Sequence, residues 1–368
     1  MAGTLSLGAA LAGVTAVPAL RHTLSRYIGG ANVANNLFKI LVFIFAFINL
    51  KNLPFIWHYR VFKGIIYQIQ LNKAEQKPKH LFSPLITSSY NSLYDSDYNF
   101  HKSNSTYFAD LDVARAHTVA CIVKTGLKRL NRGDEIGMPN DTASAGGKYY
   151  VALGGVSCTF HRQIEPLQRY DIYTRVLSWD RKWLYLVSHI VKKGAIKPGS
   201  YALQPWKKSK RRAAKSQDEV AGNSGEEEDL KKYIFATSIA KYVAKKGRRT
   251  INPEIILERS NLLPPRPAGM GLPPRAESAS PTPSETQSGA SQDNGLTSPE
   301  AVAAQVSSRL ISSEPHLNGS ISADGWTWDD MEKERLRGLT MANHFDALAG
   351  LTEELKADDV LGQYGDWF

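Results

Sequence analysis

The stretch DSDYNFHKSNSTYFADLDVARAH, residues 95–117, predicts a loop that runs into a helix. Its first nine residues lack hydrophobic periodicity and are rich in turn-forming residues. From Asn104 onward, apolar residues recur at steps of three and four, which indicates one buried helical face. Ser103, Asn104 or Ser105 can cap this helix, and Gly126 is a candidate for its end.

The junction between this loop and the helix carries residues suited to acyl chemistry. A helix N-terminus offers free N–H donors and a partial positive charge, which stabilise a carbonyl oxygen that gains negative charge. Asp97 lies a few residues upstream, in a position to act as base or nucleophile on the same carbonyl. Asp95, Asp97 and Asn104 are also ordinary turn and cap residues. Their spacing alone therefore leaves catalytic and structural roles open.

Segments after the helix have the composition of strands. They are rich in β-branched and aromatic residues with partial alternation, and they cover residues 149–161, 170–179, 183–191 and 233–243. The sequence SWDRK at 178–182 predicts a tight hairpin, and residues 82–93 are a candidate for an earlier strand. One long helix followed by antiparallel strands predicts an α+β fold with a sheet wrapped around a central helix.

This order of strand, D-x-D loop, N-x-x-Y helix and four antiparallel strands resembles the hotdog fold. The local sequence is similar to the 4-hydroxybenzoyl-CoA thioesterase-like branch, including its membrane-associated members of the thioesterase superfamily member 6 type. That branch carries D-x-D-x-x-G-H-x-N-N-x-x-Y at the junction, followed by F-x-x-x-D-x-A-R. The matching residues here are Asp95, Asp97, His101, Asn104, Tyr107, Phe108, Asp112, Ala114 and Arg115.

The resemblance covers about half of the chain and has two departures from the family pattern. Phe100 stands where the family has glycine, and Ser103 replaces the first of the paired asparagines. We expect Phe100 to narrow the loop near a thioester site, which would affect activity more than fold.

The resemblance implies hydrolysis of an acyl-CoA or a carrier-bound acyl thioester by a homodimer. The catalytic residues it implies are Asp97, His101 and Asn104, with Asp97 activating water or attacking directly. The substrate-binding residues it implies are Phe100, Tyr107 and Asp112. Asp110 and Asp112 are reserve candidates for the catalytic carboxylate, because several relatives use a carboxylate on the helix.

Other functions remain open at this point. A catalytically weak acyl-binding or scaffold protein would keep the hotdog shape while Phe100 and Ser103 altered the site. A hotdog dehydratase would need a histidine and a carboxylate that face each other, such as His101 and Asp112. The sequence has no phosphate-binding glycine loop, dinucleotide fingerprint or metal-ligand spacing, so we expect no cofactor and no metal.

The N-terminal region is apolar and contains no Asp or Glu before Glu75. The run ILVFIFAFINL at 40–50, extended to about 35–57, predicts a membrane anchor that approaches the ~20 residues needed to span a bilayer. Lys39 and Lys51 interrupt this stretch, so insertion would require both side chains to reach the membrane surfaces.

The expected location follows from this anchor and from the charges around it. We expect a membrane protein, single-pass or peripheral, with the endoplasmic reticulum as one candidate compartment and the hotdog domain facing the cytosol. The two cysteines, Cys121 and Cys158, fit a reducing compartment.

Charge is distributed unevenly along the chain. The formal net charge is +10, but residues from 264 onward carry 16 acidic and 7 basic side chains, which leaves +19 for the first 263 residues. A basic surface of this kind suits anionic lipid headgroups. The basic run KKSKRRAAK at 207–215 lacks an aromatic platform or a nucleic-acid-binding signature, so we expect no nucleic-acid partner.

The sequence therefore predicts four regions along the chain. They are an apolar region with the anchor (1–62), a hotdog domain with an insertion at about 195–231 (63–258), a disordered Pro/Ser-rich linker (259–325), and an amphipathic helical segment (326–368). The last segment is expected to dock onto the hotdog domain or onto a partner.

Overall fold

The strands of the described chain form one antiparallel sheet, in the order β1–β3–β4–β5–β2, with β6 beside β5. The computed structural model describes residues 33–136, 138, 140–196, 198–207, 230–267 and 325–354. The strands are β1 (Leu85–Tyr90), β2 (Tyr149–Phe160), β3 (Arg169–Trp179), β4 (Trp183–Lys192), β5 (Ile234–Lys246) and β6 (Arg249–Ile251). The predicted α+β class with an antiparallel sheet is confirmed.

Several predictions concern residues outside this description. They are those for residues 1–32, for most of the insertion (208–229), for the greater part of the linker (268–324) and for residues 355–368.

The predicted hairpin at 178–182 joins β3 to β4. Its first residue after β3 is Asp180, whose Oδ1 accepts hydrogen bonds from the backbone N–H groups of Lys182 (2.7 Å) and Trp183 (2.6 Å). An aspartate that binds the backbone two or three residues ahead closes a turn without help from other strands. Local sequence therefore sets this connection.

The helices lie on both faces of the sheet and at its ends. They are α1 (Val33–Ile48), α2 (Ile56–Ile66), α3 (Asn104–Leu130), α4 (Asn140–Ala143), α5 (Pro253–Arg259) and α6 (Trp328–Ala347). Short 3-10 or π turns lie at Leu50–Asn52, Tyr67–Leu71, Pro78–His80, Leu93–Asp95 and Leu348–Glu354.

Helix α3 is the central helix, and its predicted apolar face is buried against the sheet. The buried residues of that face include Tyr107, Leu111, Ala114, Thr118, Ile122 and Val123. Ile122 and Val123 share a core with Val176 and Leu186 of the sheet. The hydrophobic period of the sequence therefore identified both the helix and the side that it buries.

The predicted end of α3 at Gly126 is wrong, because the helix continues to Leu130. Gly126 instead permits a close approach to α5. A Cβ atom at this position would lie 2.3 Å from the carbonyl oxygen of Ile256, and the Gly126 N–H donates to Ser260 Oγ at 3.0 Å. The glycine is explained by helix packing and not by helix termination.

Helix α6 covers part of the outer face of the sheet, opposite α3. Side chains alternate between faces along a strand, so Tyr185 and Val187 of β4 point away from Leu186 and pack with Ala342 of α6. Ser178 Oγ also donates to the carbonyl of Arg335 at 2.6 Å. The C-terminal helical segment thus contacts the domain directly.

The predicted membrane anchor is interrupted in its middle. Helix α1 ends at Ile48, a 3-10 turn covers Leu50–Asn52, and Phe55 adopts a left-handed conformation (φ 67°) before α2 begins. In the part of the chain that the structure describes, no helix is long and apolar enough to cross a membrane. The structure therefore does not support the predicted membrane-spanning helix over about 35–57.

We expect the substitution Gly338→Ala to separate α6 from the sheet. A Cβ at Gly338 would lie 2.0 Å from the carbonyl oxygen of Leu177, a backbone atom of β3. Alanine favours a helix by about 1 kcal/mol over glycine, but the clash should outweigh this and lower the free energy of unfolding by about 1–3 kcal/mol. Urea denaturation and limited proteolysis of the C-terminal segment measure the effect.

Gly350→Ala is the matched control, because nothing lies within 4 Å of its Cβ position. Equal unfolding midpoints and equal proteolysis for the two variants would contradict this account of α6.

Candidate active site

The candidate site lies at the end of the sheet where β1 finishes and α3 begins. The loop between them, residues 91–103, runs beside the loop that precedes β3. Backbone hydrogen bonds join these two loops, from Asn91 N to Gln168 O (2.9 Å), from Leu167 N to Asn91 O (2.7 Å) and from Lys102 N to Ile164 O (2.8 Å). These bonds hold both ends of the D-x-D loop against the loop that precedes β3.

Asp97 and His101, both predicted catalytic residues, lie together in this loop. The N–H of Asp97 donates to the carbonyl of His101 at 2.9 Å, and Asp97 Oδ1 accepts from the N–H of Asn99 at 2.9 Å. His101 Nδ1 is 3.7 Å from Asp97 Oδ1. The side chains are 25% (Asp97) and 29% (His101) exposed. Asp97 thus has an oriented carboxylate that remains accessible to water.

Phe100 occupies the tip of the loop with a left-handed backbone (φ 59°). Glycine adopts this conformation without steric cost, whereas a side chain such as that of Phe100 adds strain. The side chain of Phe100 is 80% exposed. The expectation that it narrows the loop is therefore wrong for the single chain, because the ring points into solvent.

The other predicted site residues lie along the first turns of α3. Asn104 is its first residue and is exposed, after Ser103 in extended conformation. Tyr107 is buried, with its ring edge-on to Phe160 at a centroid distance of 4.9 Å. Burial is the main cause that raises the pKa of the Tyr107 hydroxyl. In the single chain Tyr107 is a core residue, and its substrate-binding role stays a prediction.

Asp112, the third predicted substrate-binding residue, is paired within the helix. Its Oδ1 lies 2.5 Å from Nη2 of Arg115, three residues along α3. This pair accounts for the D-x-A-R part of the motif as a structural contact. Asp112 does not share a contact with His101 among the interactions described, so the pair that a dehydratase would need is not formed here.

A buried ion cluster lies directly behind the loop. It consists of two carboxylates, Asp95 and Asp110, and three cations, Lys51, Lys102 and Arg60. Lys51 Nζ lies 2.5 Å from Asp95 Oδ2 and 2.9 Å from Asp110 Oδ2. Lys102 Nζ lies 3.4 Å and 3.0 Å from the same two atoms, and Arg60 Nη2 is 2.7 Å from Asp110 Oδ1. Asp95, the first aspartate of D-x-D, is therefore buried among cations, whereas Asp97, the second, is partly exposed.

Asp110 is the most heavily bonded carboxylate of the site. Besides its three cations it accepts hydrogen bonds from Ser89 Oγ (3.0 Å) and from Tyr170 Oη (2.5 Å). Burial acts to raise the pKa of Asp110, but the cations and Tyr170 outweigh it and hold that pKa well below its usual range. Asp110 is therefore a fixed anion, and a proton acceptor of this kind is too weak for general-base catalysis near neutral pH.

Lys102 completes the cluster from within the loop. Its Nζ lies 5.4 Å and 5.7 Å from the ring centroids of Tyr107 and Tyr170. Burial is the main cause that lowers the pKa of Lys102, and the positive charge of Lys51 lowers it further, against the opposite effect of Asp110. The cluster therefore ties the end of the loop to the core of the domain.

Sequence reasoning missed Lys51 and Arg60, which come from the predicted anchor region. Lys51 was expected to reach toward a membrane surface, and instead its side chain is buried in the cluster. This correction has a physical reason: a buried ammonium needs an anionic partner, and two are supplied here by residues far away in sequence. An unexplained lysine inside an apolar run was the available signal.

In the described residues, no group of three or more His, Cys, Asp and Glu side chains could hold a metal ion. Cys121 and Cys158 are free thiols. Burial raises the pKa of each to about 11, so neither is activated as a nucleophile.

Comparison with known proteins places these features in a family. A family model for the thioesterase-like superfamily matches residues 92–203, a range that includes the loop, α3 and strands β2 to β4. Among solved structures, a 1,4-dihydroxy-2-naphthoyl-CoA thioesterase from Synechocystis is 7% identical with a TM-score of 0.30, covering 48% of this chain and 95% of that chain.

Similarity to curated proteins extends over much more of the chain. The protein is 31% identical to the probable thioesterase atnL of Emericella nidulans over 369 residues, covering 94% of each chain. It is 37% identical to the thioesterase poxG of Penicillium oxalicum, over 58% of this chain and 68% of that one. For the thioesterase lcsJ of Purpureocillium lilacinum the identity is 30%, over 82% and 87%. The chain therefore belongs to the hotdog thioesterase-like superfamily.

Proposed function

We propose that this protein hydrolyses acyl thioesters and that Asp97 is the base that activates water. One observation carries the choice of residue. Asp95 and Asp110 are both held by buried cations, whereas Asp97 keeps an accessible carboxylate in the same loop. A general base must be reachable by the water that it deprotonates.

The N-terminus of α3 would supply the second catalytic element. The first N–H groups of a helix have no partner within the helix, and they carry the positive end of its dipole. Those near Asn104 would stabilise the oxygen of the thioester carbonyl when it becomes negative. In the reaction, Asp97 takes a proton from water, the oxygen of water bonds to the carbonyl carbon, and the carbon–sulfur bond then breaks. The departing thiolate takes up the proton.

The substrate class is proposed from the chemistry of the family. An acyl-CoA and an acyl group carried on a phosphopantetheine arm present the same thioester to this site. The names of the fungal relatives describe thioesterases without stating a substrate. We therefore propose an acyl thioester of either carrier.

A homodimer is part of the same proposal. Among the residues that the structure describes, strand β2 ends the sheet and pairs only with β5, so its other edge offers unpaired backbone groups. Leu153 and Tyr150 on this strand are also exposed. A second copy along this edge would bury them and would enclose the acyl chain near Asp97.

A catalytically weak acyl-binding protein is the second candidate function. A cavity of about 300 Å³ lies at the same end of the sheet, lined by Arg162, Gln168, Lys192, Lys232, Tyr233 and Phe235, and Asp97 is not among these residues. A binding site separate from the carboxylate would favour this candidate. Turnover of the unmodified protein in the assay described below separates the two.

We also propose that the protein contacts a membrane surface through α1. Its exposed apolar residues include Leu37, Phe38, Leu41, Val42, Phe43, Phe45 and Phe47. An apolar patch of this size on one helix is unusual for a surface that meets only water. The basic first part of the chain would favour anionic lipid, with the helix lying in the interface and the domain on the cytosolic side.

The first prediction concerns Asp97→Asn in the full chain. We expect kcat for acyl-thioester hydrolysis to fall by about 10²–10⁴-fold, because the amide cannot accept the proton of water. Release of free thiol from a panel of short- to long-chain acyl-CoAs measures this. Asp134→Asn is the control, since Asp134 pairs with Arg129 and Arg259 at the other end of α3. Unchanged turnover in Asp97→Asn would remove Asp97 from the mechanism, whereas a folded unmodified protein without turnover would favour the binding function.

The second prediction separates the structural carboxylate from the catalytic one. Asp110→Asn would leave Lys102 and Arg60 without their shared buried anion, so we expect the free energy of unfolding to fall by about 3–5 kcal/mol. Asp97→Asn should change it by less than about 1 kcal/mol, because Asp97 is partly exposed. Urea unfolding followed by circular dichroism compares the two. Similar losses would mean that the buried cluster is not the structural element described here.

The third prediction concerns the exposed face of α1. The double variant Phe43→Glu and Phe47→Glu should lose binding to anionic phospholipid vesicles, because both rings are largely exposed and would enter the interface. Vesicle flotation measures this binding. Ile136→Glu is the control, a similarly exposed apolar residue outside the N-terminal helices. Equal binding by both variants would argue against α1 as the contact surface.

A further inference from the structure

We infer that the turn between α1 and α2, residues 48–52, is a clamp that positions the loop carrying Asp97. This inference rests on the proposed function of Asp97, and it assigns Lys51 and Asn52 as positioning residues. The turn lies outside the range 92–203 that the family model matches. The clamp is therefore supplied by a part of the chain that precedes the thioesterase-like region.

Five contacts of this clamp reach the loop or the end of β1, and Lys51 also binds Asp110 of α3. The contacts are Tyr90 Oη to Ile48 O (2.8 Å), Tyr94 N to Asn49 Oδ1 (2.7 Å), Lys51 Nζ to Asp95 Oδ2 (2.5 Å), Asn52 Nδ2 to Asp95 Oδ1 (2.8 Å) and Asn52 Nδ2 to Ser92 Oγ (2.6 Å). They involve backbone and side-chain groups on both partners. A set of this kind fixes both the distance and the orientation of the loop.

Asp95 passes this constraint on to both sides of Asp97. On the side before Asp97, the Asp95 carboxylate accepts from the N–H of Ser92 at 3.3 Å. On the side after it, the Asp95 carbonyl accepts from the N–H of Ser103 at 2.7 Å. The short loop that carries Asp97 is therefore closed at its base by one residue, and that residue is held by Lys51 and Asn52.

Burial of the clamp residues favours one arrangement of the loop. Asn49, Lys51 and Asp95 are 3%, 7% and 3% exposed. Water cannot replace a lost partner at such positions, so each broken contact leaves an unsatisfied polar group. The loop therefore has one favourable arrangement while the turn is in place, and it gains others when the turn is altered.

Asn52→Ala in the full chain is the mildest test, because the side chain of Asn52 contacts only Asp95 and Ser92 among the bonds described. We expect amide hydrogen exchange across 95–103 to become about tenfold faster, with exchange in the sheet unchanged. We expect kcat for acyl-CoA hydrolysis to fall about tenfold and KM to change less than twofold, because a displaced base slows the chemical step. Asn72→Ala is the matched control, since Asn72 binds Gln68 and the Ala74 N–H and not the loop.

Lys51 provides a second test with a conservative variant. Lys51→Met removes the charge at nearly constant length. We expect it to increase hydrogen exchange of residues 95–103 more than Asn52→Ala does, and to lower kcat further. Lys51→Arg keeps the charge, and we expect it to recover most of the exchange protection of residues 95–103. A purely structural role would lower the unfolding midpoint without this selective change in the loop.

The outcomes are distinct. Unchanged exchange of residues 95–103 in Asn52→Ala overturns the clamp. Faster exchange with unchanged kcat overturns the positioning of the reaction by the clamp. If the unmodified protein hydrolyses no thioester in the panel, the proposed function fails, and the exchange measurement alone then supports or overturns the clamp.

Discussion

The buried pairing of two carboxylates with three cations is the interaction on which the rest of the site depends. Asp95 belongs to the loop, Asp110 to the central helix, and Lys51 and Arg60 to the N-terminal segment. Ion pairs join these three parts of the chain at this point. A buried ion cluster contributes modest net stability, because desolvation offsets most of the attraction. It is nevertheless strict about geometry, because each member left unpaired costs several kcal/mol.

The acidic residues near the cluster therefore differ in burial and in their partners. Burial, and not spacing, distinguishes three of the four aspartates near the N-terminal half of α3, namely Asp95, Asp97 and Asp110. Asp110 stays ionised among three cations, which hold its pKa low. Asp97 lies on the outer side of the loop with a backbone N–H as partner. The inner carboxylates are held in ion pairs, and the outer one remains accessible for the chemistry proposed for it.

Sequence pattern was sufficient for the fold and insufficient for the cluster. The apolar period of α3 and the β-branched runs depend on local alternation, which one sequence displays directly. Lys51 and Asp110 are separated by 59 residues, and no local pattern indicates that they meet. Asp95 and Asp97 have the same type and neighbouring positions, so only the path of the loop decides which one is buried. Asn49, Asn52 and Pro54 did carry turn preferences, and giving them more weight would have predicted the break in the apolar segment.

The loop itself does not favour the conformation that it adopts. Phe100 is held with a positive φ, a conformation that costs a non-glycine residue roughly 1–2 kcal/mol. Glycine would take this conformation without that cost, because it has no Cβ atom. In this chain, bonds at the base of the loop must offset the strain, among them Lys102 N–H to Ile164 O and Ser103 N–H to Asp95 O. Asp95 closes the strained loop, and Lys51 holds Asp95 in turn. The conformation of the loop therefore depends on Lys51. The substitution at Phe100 therefore increases the dependence of the loop on the N-terminal turn.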